Sequence, residues 1–160
     1  MGARAEQLAK KFDATCAEFN KVVEGLSDAD WRKVTSAEKW PVAVVAHHVA
    51  QGHSGISGLV HLVAKAQPLP GLTVEMRDAG NARHAKEFAN VTKAETLGLL
   101  KANSEKASDL VRGLSDAELD RSASVLAGMP AMTAAQAIKG ILINHVNEHL
   151  GSIRATTGAK

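Results

Sequence analysis

His145 and His149 stand four residues apart, a spacing that sets two side chains one above the other on a single helix face. Two imidazoles placed that way can chelate one cation. Ile138, Leu142 and Ile153 share or border the face, so it is expected to point into a core. Imidazoles in an apolar seam cost free energy unless each finds a polar partner, and a metal ion supplies one. The third candidate is His48, beside Val45, Val49 and Gly52 on a second apolar stripe. Three neutral imidazoles leave at least one coordination position open, as in catalytic rather than structural zinc sites. A His pair at this spacing alone equally describes two satisfied core histidines or a surface pair; the third histidine on another inward face favours a ligand set.

Four other histidines have weaker claims. His47 adjoins His48 but is rotated about 100° from it on a helix, so the two cannot share one ion. It is expected at a pocket rim or in a helix contact. His53 and His61 are expected at helix edges. His84 is expected to be solvated, with a proton shuttle at the pocket mouth as its functional alternative. His84 and His47 are thus the only candidates for a catalytic acid or base. Cys16 reads as a small core residue, since nothing near it in sequence would lower its pKa. Gly52-His53-Ser54-Gly55-Ile56-Ser57-Gly58 matches neither a phosphate loop nor a nucleophile elbow. Its glycines more simply let a helix approach a neighbour.

The remaining composition narrows the classes. The chain has 160 residues, 45% of them apolar, which suits one domain over residues 1–160 with a real core. Aromatics are few and Tyr is absent, so base-stacking nucleic-acid modules are disfavoured. The formal charge is +2 with no block of like charges, which argues against a DNA-tracking patch or a membrane anchor. No signal-peptide pattern or membrane-length apolar run is seen. One cysteine excludes an intrachain disulfide, and an intracellular, cytoplasmic protein is expected.

Helical periodicity places the candidates. Leu8, Phe12, Cys16, Phe19, Val22, Val23 and Leu26 form a first stripe. Ser27 caps a short turn of helix leading to Trp31. Pro41, suited to the first helical position, opens a second long helix that runs to the prolines at 68 and 70. From Thr73 to Phe88 the pattern weakens to a polar helix or partly ordered crossover. Thr92 with Glu95 is a capping box for a third helix ending near Leu114. Thr133 with Gln136 is another, opening a fourth through Ile153, and residues 156–160 are expected to fray. No strand or hairpin signal is found, so the fold class is all-α, a four-helix bundle. Glu24-Gly25-Leu26-Ser27-Asp28-Ala29-Asp30 recurs as Arg112-Gly113-Leu114-Ser115-Asp116-Ala117-Glu118, each copy followed by a proline and a long helix. This suggests two helix–connector–helix halves.

Trp40-Pro41-Val42-Ala43-Val44-Val45-Ala46-His47-His48-Val49 resembles the second-helix signature of the DinB/YfiT-like family, where a ligand His follows a Trp by eight residues. His145-Val146-Asn147-Glu148-His149-Leu150 resembles that family's fourth-helix His-x-x-x-His, and the likeness spans about residues 5 to 156. The resemblance implies an up-down-down-up bundle with a long crossover after helix two. It also implies zinc or nickel on three histidines and, frequently, a homodimer. Some members are thiol-dependent S-transferases or isomerases using small thiols such as mycothiol or bacillithiol, and many have no assigned activity. The expected function is a metal-dependent enzyme acting with a small thiol on an electrophile, with a non-catalytic, homodimeric metal-containing binding or stress-response module as the alternative. The carry-over puts the metal on His48, His145 and His149. Against His47, helix phase favours His48, which lies nearer the Val45–Val49–Gly52 stripe.

Overall fold

The computed structural model describes residues 2–160. Four long helical segments build the bundle: α1 (Ala3–Glu24), α3 (Val42–Ala64), α5 (Lys93–Arg112) and a last one in three parts. That last segment begins as α7 (Ala134–Ala137), passes through a π-helical stretch (Ile138–Ile143) and continues as α8 (Asn144–Thr157). The connections hold α2 (Asp28–Arg32), α4 (Val74–Glu87) and α6 (Asp116–Leu119). The bundle is of the up-down-down-up type, with α4 in the crossover that lets α3 and α5 run the same way. α5 packs extensively on both α1 and α3, and α8 touches α1 and α3 from the opposite side. Among the described residues, no helix is long and apolar enough to cross a membrane.

The apolar stripes explain the packing. Leu8, Phe12, Cys16, Phe19 and Val23 of α1 are buried against Leu100, Ala107 and Val111 of α5. Each large side chain removed from water in this way contributes about 1.5–3 kcal/mol. α3 departs from a stripe in its first turns, where every residue from Val42 to His47 is buried. The reason is its position: it is flanked by α5, α8 and α4.

The caps match the sequence. The Ser27 hydroxyl accepts from the Asp30 N–H, and Thr92, Ser115 and Thr133 each form a complete capping box with Glu95, Glu118 and Gln136. The two Gly-Leu-Ser-Asp segments adopt the same local course. Each ends a long helix, caps a short one, and leads through a small antiparallel pairing into the next long helix. In the first copy the pairing is a bridge between Val34 and Pro41; in the second, β1 (Ser122–Ala123) pairs with β2 (Met132–Thr133).

Several expectations need correction. Pro41 is the cap residue rather than the first helical one, with its carbonyl accepting from Val44 and Val45. α3 stops at Ala64, before the prolines, in a Schellman turn. There the Ala66 N–H donates to the Val63 carbonyl, the Gln67 N–H donates to the Leu62 carbonyl, and Ala66 is left-handed at φ 52°. Of the two alternatives for Thr73–Phe88, the polar helix is the one found: α4 is capped by the Thr73 hydroxyl, and only its His84 is buried. The last helix runs to Thr157, closed by left-handed Gly158, so residues 156 and 157 are helical. The β1–β2 ladder was not expected; two residues per strand are too few to show an alternating pattern.

Candidate metal centre

His48 sits in the second turn of α3, while His145 and His149 occupy the first turns of α8. The bundle brings the three together. One ring nitrogen from each lies within 4.8 Å of the others, and the Nε2 atoms of His48 and His145 are 2.9 Å apart. Ring centroids are 4.6 Å apart for His145–His149, 4.8 Å for His48–His145 and 5.0 Å for His48–His149. Among the described residues this is the one group of three or more ligand-type side chains so arranged.

Two local features seat the rings. The first is Gly52, one turn after His48. A Cβ built there would lie 2.5 Å from Cε1 of His145, so the imidazole occupies the space a side chain would need. The second is the π-helical stretch just before α8. An extra residue in a turn rotates the rest of the helix by about 100° relative to an unbroken α-helix. Leu142 and Ile143 stay in the core while His145 and His149, both half-buried, turn toward a cleft.

The cleft has a volume of ≈ 690 Å³. The three histidines line it together with Glu38, Trp40 and Gln51. Its walls are largely apolar, with Ile56, Leu59, Leu72, Val125, Leu126 and Ile141, and Arg77 and Asn81 of α4 complete the lining. Trp40 meets the His48 ring edge-on at 5.3 Å.

Burial sets the protonation states. It pulls the His145 imidazole down to about 3 and that of His48 to about 4, with His149 adding to the effect on both. Both rings are therefore neutral at pH 7, the form that donates a lone pair to a metal. Nδ1 of His145 is buried without a hydrogen-bond partner. Glu38 was not foreseen. Its Oε1 lies 2.8 Å from Nδ1 of His149, and its Oε2 accepts from the Ser152 hydroxyl at 2.6 Å. Burial would raise its pKa, but hydrogen bonds from Ser152, Thr35 and His149 outweigh that and hold it below the usual carboxylate range. With Nδ1–H donated to this carboxylate, His149 keeps the lone pair of Nε2 for the cluster.

The donor set fits a divalent transition ion. Three neutral imidazoles suit zinc, nickel, copper or iron. Nitrogens bound at about 2.0–2.1 Å around one tetrahedral ion stand roughly 3.3 Å apart. The observed nitrogens, 2.9 Å apart for His48 and His145 and all within 4.8 Å of one another, bracket that spacing.

The other histidines lie elsewhere. His47 is buried under α4, stacked on Phe88 at 4.0 Å, with Nδ1 2.7 Å from Nε2 of His84. It is a helix contact. His84 is also buried rather than solvated, and neither residue lines the cleft. His53 is not at a helix edge but in the core, 1% exposed, packed edge-on against Phe12 and 3.8 Å from Sγ of Cys16. Cys16 is a core residue whose thiol burial pushes up to about 12.

No curated protein matches the chain. Among solved structures, a mycothiol-dependent maleylpyruvate isomerase superposes with a TM-score of 0.74 at 14% identity, over 99% of this chain and 64% of that one. A mutant of such an isomerase gives 0.76 at 12% identity, over 100% and 65%. The chain thus spans less than two thirds of the isomerases' length. YfiT from Bacillus subtilis, described as a probable metal-dependent hydrolase with an unusual four-helix bundle topology, gives 0.77 at 17% identity, covering 100% of this chain and 91% of YfiT. These likenesses show a shared fold. The family model of the DinB superfamily matches residues 11–153, nearly the whole helical bundle, and the chain belongs to that superfamily.

Proposed function

We propose that the chain is a metal-dependent enzyme that joins a small cellular thiol to an electrophilic substrate, or isomerises such a substrate with the thiol's help. His48, His145 and His149 hold the ion, zinc or nickel. The observation that carries this reading is the convergence of three imidazoles from two helices at the wall of an apolar cleft. When bound, the ion supplies an open position at which a thiol loses its proton near neutral pH.

The chain's own residues do the rest. His48 and His145, neutral through burial, offer lone pairs. Glu38 holds the tautomer of His149. The walls formed by Ile56, Leu59, Val125 and Ile141 exclude water and favour a substrate with a largely apolar body. Asn81, Gln51 and Arg77 are the polar groups available to orient it. No His outside the triad lines the cleft, so the thiol proton leaves to solvent or to the leaving group. The cytoplasm, where small thiols are kept reduced, and a homodimeric assembly complete the proposal, the latter checked by sedimentation.

The test is turnover of mycothiol, bacillithiol or glutathione with monobromobimane, in which a sulfur–carbon bond forms as the carbon–bromine bond breaks and bromide leaves. We expect a rate above background that falls to background on chelation and returns with zinc or nickel. A rate unchanged by chelator with every thiol overturns the reading. Chelator-sensitive ester or amide hydrolysis without thiol turnover would instead favour metal-assisted attack of water, the reaction class named for YfiT.

A further inference from the structure

We propose that Glu38 is a positioning residue for the metal centre: its carboxylate holds His149 in the tautomer and orientation that aim Nε2 at the ion. The inference rests on the reading that His48, His145 and His149 hold a metal, and adds a residue from outside the bundle helices.

The geometry is specific. Glu38 lies in the connector between α2 and α3, not on a helix. That connector is pinned before the histidine is considered. The Val42 N–H donates to the Lys33 carbonyl at 2.8 Å, the Thr35 N–H donates to the Trp40 carbonyl at 2.8 Å, and the Lys39 N–H donates to the Thr35 carbonyl at 3.1 Å. Lys39, next to Glu38, sits at φ 62°. A left-handed non-glycine residue costs roughly 1–2 kcal/mol, a strain that the surrounding hydrogen bonds must hold in place. The result is a turn that presents the carboxylate to α8. Both oxygens are used, Oε1 by His149 and Oε2 by Ser152 one turn further along the same helix. The Glu38 and His149 side chains are only 12% and 15% exposed, so water competes little for the bond.

A neutral imidazole carries one N–H, and the nitrogen that gives it to an acceptor leaves the other as the ligand. Without an acceptor at Nδ1, His149 exchanges tautomers and can flip its ring, and part of the population presents N–H to the ion. A carboxylate removes both freedoms and makes the ring more basic. Losing such a partner typically weakens metal affinity 10–100-fold. Glu38 stands outside the group of three ligand-type side chains, and each of its oxygens has a partner on α8. His48 and His145 have no comparable carboxylate, so the hold on His149 is the one built this way.

The test compares wild type with Glu38→Gln, Glu38→Ala and Ser152→Ala. Each is stripped of metal and titrated with cobalt(II) and zinc against a competing chelator. Glu38→Gln keeps the side-chain shape and guards against the chance that Glu38→Ala does not fold. We expect wild type to bind one ion, and Glu38→Ala to bind 10–100-fold more weakly with a broadened cobalt(II) visible spectrum. Glu38→Gln should fall between them, and Ser152→Ala should shift affinity a few-fold. A merely structural role would lower melting temperature and leave the spectrum and affinity alone. If wild type binds and both Glu38 variants bind within twofold with the same spectrum, this inference is overturned and the metal reading stands. If wild type itself binds no ion, both fail.

Discussion

His47 and His48 are neighbours in the chain and reach opposite kinds of surroundings. His48 opens onto the cleft, faces His145 and His149, and touches Trp40. His47 lies beneath α4, stacked on Phe88 and paired with His84. Both imidazoles are held below their usual pKa, with burial the first cause in each. What separates them is the number of rings that must be satisfied. Two imidazoles can share one N–H···N contact that uses one nitrogen of each ring, as His47 Nδ1 and His84 Nε2 do at 2.7 Å. Three converging rings cannot all do so, and the third, His149, has its proton engaged by a carboxylate. A lone orphan nitrogen does not make the distinction, since His53, His84 and His145 each have one. The pair is packing that fastens a crossover helix; the triad is the group whose donor atoms could hold a metal ion.

The largest expected effect comes from that contrast. His145→Ala should abolish metal stoichiometry in protein purified without a His tag, whereas His47→Ala should keep it. At metal concentrations a hundredfold above Kd, binding stabilises the native state by about 2.7 kcal/mol. Wild type and His47→Ala should therefore both gain melting temperature on adding zinc, and His145→Ala should gain none. Calorimetry with and without metal measures this. Retained zinc stabilisation in His145→Ala would erase the difference between the two clusters.

A second contrast concerns glycines on the same helix. The missing Cβ of Gly52 is space filled by the His145 ring, but nothing lies within 4 Å of one at Gly58. Gly52→Ala should displace the ring, cost about 1–3 kcal/mol as overpacking does, and weaken metal binding. Gly58→Ala should stabilise the helix by roughly 0.5–1 kcal/mol and leave the metal untouched. Denaturant titrations of both variants check the pair of signs, and the same sign for both would refute the account of how His145 is seated.

The contrast between neighbours also shows what sequence could carry. The long helices were legible because their apolar spacing at three and four residues is strong, and the capping boxes at Thr92 and Thr133 because their chemistry is local. The triad was legible as three histidines on inward faces. Helix phase does not by itself separate His48 from His47: α5, α8 and α4 flank the start of α3, and His47 is the more buried while His48 opens onto the cleft. Only the placement of α4 distinguishes them. α4 itself read weakly because its single buried residue is a histidine, which a hydrophobic pattern passes over. Glu38 was invisible for a related reason. It sits on an aperiodic connector ten residues before His48, and its partner is 111 residues away. The π-helical stretch has the composition of an ordinary helix, so its phase shift left no mark.

The smallest expected effect is in the slope of stability with pH. His48, His53 and His84 are held near 4 and His145 near 3, against an ordinary value of 6.5, chiefly by burial. With the folded pKa below the unfolded one, the unfolded chain takes up protons first as pH falls. Stability is then fully present above about pH 6.5 and is lost progressively toward pH 4. His84→Leu should make that loss shallower in metal-free protein by removing one titrating ring of the His47–His84 pair. Zinc should steepen the wild-type curve, because protons then compete with the ion at the triad. It should not alter the difference between wild type and His84→Leu if the two clusters act separately. Their rings approach to 5.7 Å between His48 and His84, so this independence is the sharpest point of the comparison. Urea unfolding from pH 7 to pH 4, with and without zinc, reads it directly. A His84→Leu difference that disappears on adding zinc would mean that the packing pair and the ligand set are one coupled network.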